Sequence, residues 1–403
     1  MQAFPKEDFM KQKKILASAV AALLFVSGLS ATPDATLSEE KKAEISEGLK
    51  DFSSALLVSV PNASTQQNVW ADAYIGNLYP SIFPHFGFGF TLGGTYLDTS
   101  GFKRAVEVVA GDENFLTQAL EGLDNGSECV TEILEHMGLD IGTIPEAFFL
   151  PTATVDVRLG GVVLPFDIGL CAMMTNPSLF EVKLSDPSSI TNMSQAVKFD
   201  LFGFNGSIDY LTIGADLRYR FFEGSKFVPV ISVGGGYYYT KGNFKIGTTD
   251  QRNVSYGGQE GVQTTTMNMA NGFETHVAFF QLQVSKQLGF ANFFLGGRGT
   301  ISNTTSTWAW DYKTSNDNEN IDAYTNSEDS DKGTVSLNNQ TESFHEGVWD
   351  LTKIQPQIFA GVGFNAWKFQ FTLGACVDLR SFFDHVSYTD YIWSGYFSTH
   401  FKL

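Results

Sequence analysis

Residues 206–241 read GSIDYLTIGADLRYRFFEGSKFVPVISVGGGYYYTK, and this stretch carries the main evidence on fold class. In its first half, apolar and polar residues alternate, which is the pattern of a β-strand with one apolar and one polar face. The second half alternates in the same way after the turn formers Gly224 and Ser225. Each half is longer than the usual strand of about five or six residues. The stretch therefore predicts a long hairpin, typical of a β-sandwich or of a barrel wall in a membrane.

Two further hairpins of the same construction follow, at 275–301 and 351–379. Their turns, like the turn at 222–226, are a few residues long. The polar stretches at 243–272 and 303–350, in contrast, run to tens of residues and are predicted to be loops. Short turns at one rim and long loops at the other are typical of outer-membrane barrels. We therefore predict an all-β fold, a transmembrane antiparallel β-barrel of about 10 to 14 strands.

The N-terminus has the features of a secretory signal peptide, which we assign to residues 1–31. Lysines at 11, 13 and 14 precede the apolar run 15–26, and small residues follow at 27–31. The apolar run is too short to cross a bilayer as a helix. No later run is long enough to do so. The chain is thus predicted to be exported and to reside in the outer membrane as a multi-pass barrel.

The mature chain is divided into an N-terminal helical segment, 32–84, and the barrel, 85–403. A capping-box pattern at 36–39 predicts a helix over 36–60. Two interpretations stay open for this helix: it is a small helix that packs on the part of the chain that follows it, or it enters the lumen of the barrel as a hatch. The barrel is expected to carry a helical loop insertion at 98–150 and an acidic extracellular loop at 303–350. The apolar stripe of the helix makes the candidate hatch contacts, Ile45, Leu49, Phe52 and Leu56.

Charge and residue types exclude several functions. The formal net charge is -18, so no basic surface is expected for nucleic acid. The six histidines and three cysteines (Cys129, Cys171 and Cys376) show no metal-ligand spacing, and nothing chooses a disulfide pair among the cysteines. No nucleophile-elbow motif is present. We therefore predict no enzyme, no cofactor and no metal site.

The polar faces of the predicted strands carry charges of both signs, which a barrel would direct into its lumen. One interpretation is mutual ion pairing that fills and stiffens the interior. The other is a constriction or a binding site for the head group of a ligand. The lumen-facing candidates are Arg158, Arg218, Arg220, Arg298, Asp378 and Arg380.

Several segments resemble outer-membrane barrels of spirochaetes (treponemes). They are ADAYIG at 71–76, the Phe/Gly strand from residue 85, LPTATVDVRLGG at 150–161 and LPFDIG at 164–169. Those barrels are similar to the FadL-type long-chain fatty acid transporters. The resemblance implies 14 strands, a hatch in the lumen and uptake of hydrophobic molecules through a lateral opening in the wall. The Asn-Pro-Ala signature of the FadL type is not found in the N-terminal segment, where Pro61-Asn62-Ala63 has a different order.

The resemblance thus implies an outer-membrane transporter for long-chain fatty acids or similar hydrophobic small molecules. Membrane lipid and the barrel-assembly machinery are the expected partners. Two alternatives stay open: an adhesin or antigen that binds host ligands through its long loops, and a general diffusion porin.

Overall fold

The computed structural model describes residues 37–66, 69–75, 85–110, 147–161, 165–174, 197–201, 204–225, 227–256, 259–318, 327–338, 354–379 and 392–402. The predicted signal peptide lies outside these residues. The described helices are α1 (Glu39–Thr65) and α2 (Ser100–Ala110). The described strands are β1 (His85–Asp98), β2 (Ala147–Gly160), β3 (Phe166–Met174), β4 (Val197–Leu201), β5 (Phe204–Phe222), β6 (Val230–Tyr256), β7 (Gln259–Leu288), β8 (Ala291–Asn316), β9 (Ser327–Asn338), β10 (Gln355–Ala366), β11 (Phe369–Asp378) and β12 (Trp393–Lys402).

Antiparallel pairing closes the sheet on itself. The order is β1–β2–β3–β5–β6–β7–β8–β10–β11–β12, and β12 pairs again with β1. Within the described residues, ten strands therefore form a closed ring, at the lower end of the predicted range. The fourteen strands that the resemblance implies are not present in that part of the chain. Closure leaves no unpaired strand edge in the ring.

Period-two alternation gives the ring an apolar outer face and a polar inner face. On β5, Leu217 points outward and is 45% exposed, whereas its neighbour Arg218 points inward and is 1% exposed. The same alternation holds on β3, where Ile168 is 50% exposed and Asp167 is fully buried. The hairpin at 206–241 is thus confirmed, and its strands pair from Phe204 to Phe222.

The strand ends at Gly160, Phe222, Leu288 and Ala366, and the starts of the strands that follow them, all lie at one end of the ring, which we call the short-turn rim. At the opposite end, four strands continue beyond the ring and are flanked by β4 and β9. We call this six-stranded extension the upper sheet. It comprises β4, β9 and residues 204–210, 240–256, 259–275 and 301–316.

The upper sheet replaces much of what we expected to be loop. Residues 243–272 were predicted to be a polar loop, and this is wrong: β6 and β7 pair without interruption up to Tyr256 and Gln259. In the expected loop 303–350, residues 303–316 extend β8 and residues 327–338 form β9. Both faces of these strands are rich in Thr, Asn and Ser, so the sequence shows no alternation of apolar and polar residues there. Threonine nevertheless favours strands, which is consistent with the observed pairing.

Helix α1 begins at the cap residue Ser38, whose side chain accepts a hydrogen bond from the Lys41 amide. The cap is therefore Ser38 rather than the predicted Thr36. Near this end, Lys42 forms ion pairs with Glu39 (2.8 Å) and with Asp329 on β9 (2.9 Å), and these carboxylates raise the pKa of its amine. Neither described helix is long and apolar enough to cross a membrane.

The predicted hatch residues of α1 form the centre of an apolar cluster. Ile45, Leu49, Phe52 and Leu56 are all buried there. The cluster lies between α1, α2 and the inner face of the upper sheet. Its other principal members are Leu97, Phe102, Ile246, Met267, Met269, Phe273, Trp308, Trp310 and Tyr312.

The two helices cross where each presents a glycine. A Cβ atom added to Gly48 would lie 2.6 Å from the Gly101 carbonyl oxygen, and one added to Gly101 would lie 2.6 Å from the Gly48 oxygen. We expect Gly48→Leu to force the helices apart and to lower stability by about 1–3 kcal/mol, as overpacking does. Thermal unfolding of the refolded protein measures this effect. Gly297→Ala, where the added Cβ meets nothing within 4 Å, is the matched control, and an equal loss in both variants would contradict the prediction.

Candidate functional site: the filled lumen

Residues 69–75, which we call the lumen segment, lie across the interior of the ring close to the short-turn rim. Asp72 accepts hydrogen bonds from Asn292 on β8 (2.6 Å) and Gln370 on β11 (2.8 Å), and it forms an ion pair with Lys402 on β12. The Ala73 amide donates to Ser285 of β7 (2.9 Å). One short segment is thereby fastened to four strands of the wall.

A buried charge network holds the other side of the lumen segment. Asp167 pairs with Arg158 (2.6 Å) and with Arg218 (2.7 Å), and Arg158 also binds both carboxylate oxygens of Asp216 at 2.8 Å. The network reaches the lumen segment twice: Arg218 donates to the Asp72 carbonyl (2.9 Å), and the Ile75 amide donates to Asp167 (3.2 Å). Because each buried charge has an opposite partner, the group is stable only as a whole.

Trp70 fills the space between β1, β2 and β12. Its indole stacks on the His400 ring with centroids 3.9 Å apart, and its Nε1 donates to Asp156 (3.0 Å). His400 Nε2 contacts the other oxygen of Asp156 at 3.2 Å. Gly87 makes this fit possible, since a Cβ there would lie 2.3 Å from the Trp70 ring. The indole is thus built into the wall.

The C-terminal turn of α1 meets the wall one level higher. Asn62 donates to Asp378 (3.4 Å), and Ser64 donates to Thr240 (2.9 Å). Arg298 of β8 donates to the Thr65 carbonyl (2.7 Å). Polar contacts from β6, β8 and β11 therefore surround the end of the helix.

The sequence-predicted lumen residues occupy three kinds of position. Four of them are buried on the inner face. Arg158 and Arg218 belong to the buried charge network, whereas Arg298 and Asp378 contact the end of α1. Arg220 lies at the short-turn rim, with its guanidinium 4.8 Å from the centre of the Tyr74 ring. Arg380 lies outside the described residues.

Sequence reasoning missed four titratable groups of the site. Asp167, His400 and Lys402 each alternate with apolar neighbours on their strands, so continued period-two counting would have found them. Asp72 had no such signal, because the lumen segment has no regular periodicity. Its role follows from where the segment lies in the ring.

The side chains of the site hold the lumen segment and the end of α1 in place. Among the described residues, no group of three or more His, Cys, Asp or Glu could hold a metal ion. The thiols of Cys171 and Cys376 are buried and unbridged. The described inner wall thus makes many polar contacts with a helix and a short segment, while a few buried polar atoms, such as the Tyr396 hydroxyl and the Arg158 Nε, have no hydrogen-bond partner among the described residues.

Comparisons with known proteins give only distant matches. No family model and no curated protein matches the chain. Among solved structures, a FadL homologue of Pseudomonas aeruginosa is 7% identical, with a TM-score of 0.21, covering 89% of this chain and 97% of its own. A mutant of the TodX monoaromatic hydrocarbon channel is 6% identical with a TM-score of 0.24, covering 82% and 92%. The transport unit of the Escherichia coli autotransporter AIDA-I is 8% identical with a TM-score of 0.23, covering 86% and 98%.

Proposed function

We propose that this protein is an outer-membrane transporter that takes up long-chain fatty acids or similar hydrophobic small molecules through a plugged barrel, without catalysis. The observation that carries the proposal is a closed ring with an apolar outer face whose interior is occupied by the chain's own helix and lumen segment. Such an outer face is costly in water, and lipid is the environment that suits it.

The dimensions of the outer face support a membrane location. On β7 the outer face from Leu288 to the level of His276 is apolar except for Lys286, whose amine donates to the Ser225 and Val228 carbonyls at the short-turn rim. This length is about 40 Å along the strand and so about 28 Å along the membrane normal at a tilt of about 45°. The apolar band of known barrels is about 25 Å tall. Aromatic side chains mark both edges: Trp367 and Phe290 at the short-turn rim, and Tyr237, hydrogen-bonded to His276, at the other.

The filled interior favours a gated transporter over a general diffusion porin. Helix α1 and the lumen segment contact inward side chains around the ring, and most of those side chains are buried. We therefore propose that residues 37–75 act as a hatch and that passage requires their displacement. The lateral wall opening and the identity of the substrate belong to this proposal as well.

A surface-interaction function is the second candidate. It is favoured by the upper sheet, which extends beyond the apolar band and presents exposed acidic residues on β9, such as Glu328 and Asp331. Loss of host-ligand binding on deletion of residues 327–338, with uptake unchanged, would support it. In this proposal the upper sheet lies on the extracellular side.

Uptake and conductance together test the transporter. We expect the reconstituted protein to bind oleate, to carry it into liposomes, and to conduct ions only rarely. Asp72→Ala should open the channel, because Lys402 then loses its buried partner at a cost of about 3 kcal/mol or more. If the closed state is destabilised by that amount relative to the open state, the fraction of open channels rises roughly a hundredfold in a two-state equilibrium.

The matched control is Asp311→Ala, which removes a carboxylate that contacts Asn268 (2.7 Å) in the upper sheet, outside the lumen. Single-channel recording in planar bilayers compares the two variants with the unchanged protein. A large, permanent conductance of the unchanged protein would contradict the hatch, and so would equal conductance in all three proteins.

A further inference from the structure

Strand β9 forms one edge of the upper sheet. Among the described strands it pairs only with β8, along its whole length. None of the residues from Glu328 to Leu337 is buried, whereas most of residues 304–313 on the neighbouring β8 are. In an antiparallel sheet, the backbone N–H and C=O groups of successive residues point to opposite sides of the strand. Within the described residues, the other side of β9 therefore presents a row of backbone donors and acceptors without a partner strand.

Two hydrogen bonds show which residues of β9 direct these groups outward. The Asp317 amide, next to the end of β8, donates to the Val262 carbonyl on β7 (3.1 Å), so the odd-numbered residues of β8 bond to β7 and the even-numbered ones to β9. Their opposite residues on β9 are odd-numbered. The N–H groups of even-numbered residues such as Lys332 and Thr334 thus point away from the sheet. The Lys332 amide accordingly donates to the Asp331 carboxylate of its own strand (2.8 Å).

The two halves of this edge differ in chemistry. Residues 327–331 read SEDSD and carry three carboxylates, whereas residues 333–337 read GTVSL and carry no charge. A strand that pairs with β9 would place its side chains beside these residues on both faces. Its one half would lie beside carboxylates, and its other half would lie beside Val335 and Leu337.

The charge of the edge selects the kind of partner. Asp329 forms an ion pair with Lys42 of α1, but Glu328 and Asp331 remain exposed. The formal net charge of the whole chain is -18, so a second copy of the chain would be repelled, whereas a basic segment would be attracted. A basic polypeptide in an extended conformation therefore fits this edge better than a second copy does.

We infer that β9 binds an extended basic segment of another protein, which joins the upper sheet as a further strand. In this mode of recognition the main-chain hydrogen bonds supply affinity and the side chains supply specificity. Lysine or arginine side chains of the partner lie beside residues 327–331, and apolar or β-branched side chains lie beside residues 333–337. The inference rests on the second candidate function, to which it gives a site and a class of partner, and it is independent of transport.

The test uses a fluorescent twelve-residue peptide, which has the length of β9. Lysine alternates with threonine in one half of the peptide, and valine alternates with threonine in the other. Fluorescence anisotropy measures its affinity for the protein in nanodiscs of phosphatidylcholine, a lipid without net charge. The peptide should bind about tenfold more tightly than a second peptide with glutamate in place of lysine, and this difference should shrink as the salt concentration rises.

Thr334→Pro tests the backbone contact. The substitution removes an outward N–H group from an exposed position, where an edge strand tolerates proline. We expect it to weaken binding of the lysine peptide about tenfold, because the added strand loses a hydrogen bond and meets the proline ring. Thr334→Ala keeps the N–H group and is the matched control, which should bind like the unchanged protein.

Glu328→Lys tests the charge of the edge without changing its backbone. It should weaken binding of the lysine peptide about fivefold. Glu223→Lys, at the short-turn rim, is the matched control and should leave the affinity unchanged. The two glutamates are 76% and 77% exposed, and each forms one ion pair, at 4.0 and 3.5 Å.

Equal binding of the lysine and glutamate peptides overturns the inference, and so does unchanged binding by a folded Thr334→Pro protein. Self-association of the protein that Thr334→Pro removes would assign the edge to a second copy and would overturn it as well. If neither peptide binds while deletion of residues 327–338 abolishes host-ligand binding, the inference fails and the second candidate function stands. The transport proposal stands in each of these cases.

Discussion

Replacing Leu217 by arginine is expected to lower the stability of the folded barrel by about 2–4 kcal/mol, the cost of a cation near the middle of a bilayer. Leu217 lies on the outer face of β5, between Ile213 and Phe221, and nothing in the described ring covers it. The substitution removes no internal contact, so the loss reports on lipid alone. The protein is refolded in lipid at increasing urea concentrations, and the fraction that migrates as the compact form is measured on unheated gels. The change in the urea midpoint gives the loss of stability.

Thr249→Arg provides the control, since Thr249 is on the neighbouring strand β6, is exposed and belongs to the upper sheet above the apolar band. It should refold like the unchanged protein, because its side chain faces water. Thr212 would be the natural inward control on β5 itself, but the structure excludes this choice. Its side chain is fully buried and hydrogen-bonded to Thr240 (2.8 Å), so a charge there would be unpaired. Equal tolerance at Leu217 and Thr249 would refute the membrane-wall assignment.

Among the lumen variants, Asp167→Asn should cause the largest loss of folding stability, about 3–5 kcal/mol. The carboxylate is shared by Arg158 and Arg218 and also accepts the Ile75 amide. Its neutralisation leaves two buried guanidinium groups competing for Asp216 alone. We expect a lower temperature for conversion to the unfolded form on gels and faster proteolysis of the lumen segment.

Glu328→Gln is the companion variant for that experiment. Glu328 forms an ion pair with Lys313 at 4.0 Å, with both side chains more than half exposed. Exposed pairs contribute about 0–1 kcal/mol, so this variant should unfold like the unchanged protein. If Asp167→Asn unfolded at the same temperature as Glu328→Gln, the buried network would not be what holds the lumen segment in the ring.

The wall of the barrel could be predicted from sequence because each strand there separates two environments. Neighbouring residues such as Leu217 and Arg218 point to opposite faces of the strand. Because one face is apolar and the other polar, the alternation of residue types along the sequence predicts which face each residue occupies. The upper sheet could not be predicted in the same way. Residues 243–272 have polar side chains on both faces of much of their length, so alternation carried no signal there.

The site was predictable only in part, for a related reason. Arg158, Arg218, Arg298 and Asp378 were found because they alternate with apolar neighbours on regular strands. The partners that decide what each of them does come from the lumen segment and the end of α1, which are distant in sequence. Among the buried arginines described here, only Arg298 lacks a carboxylate partner. This difference arises from the packing of the lumen, and no local sequence pattern predicts it.

The pairing of β1 with β12 imposes an order on biogenesis. Phe88 is opposite Phe401, so the ring closes through a contact between residues that are far apart in the chain. Bringing such distant residues together costs conformational entropy. Residues 37–66 and 69–75 precede β1 in the chain, and in the folded protein they contact the inner face of the closed sheet. Until the ring closes, the growing sheet has two free edges and an exposed apolar face, which invite aggregation. We therefore expect seam closure to limit the rate of assembly, and a factor that shields the open edges would act at this step.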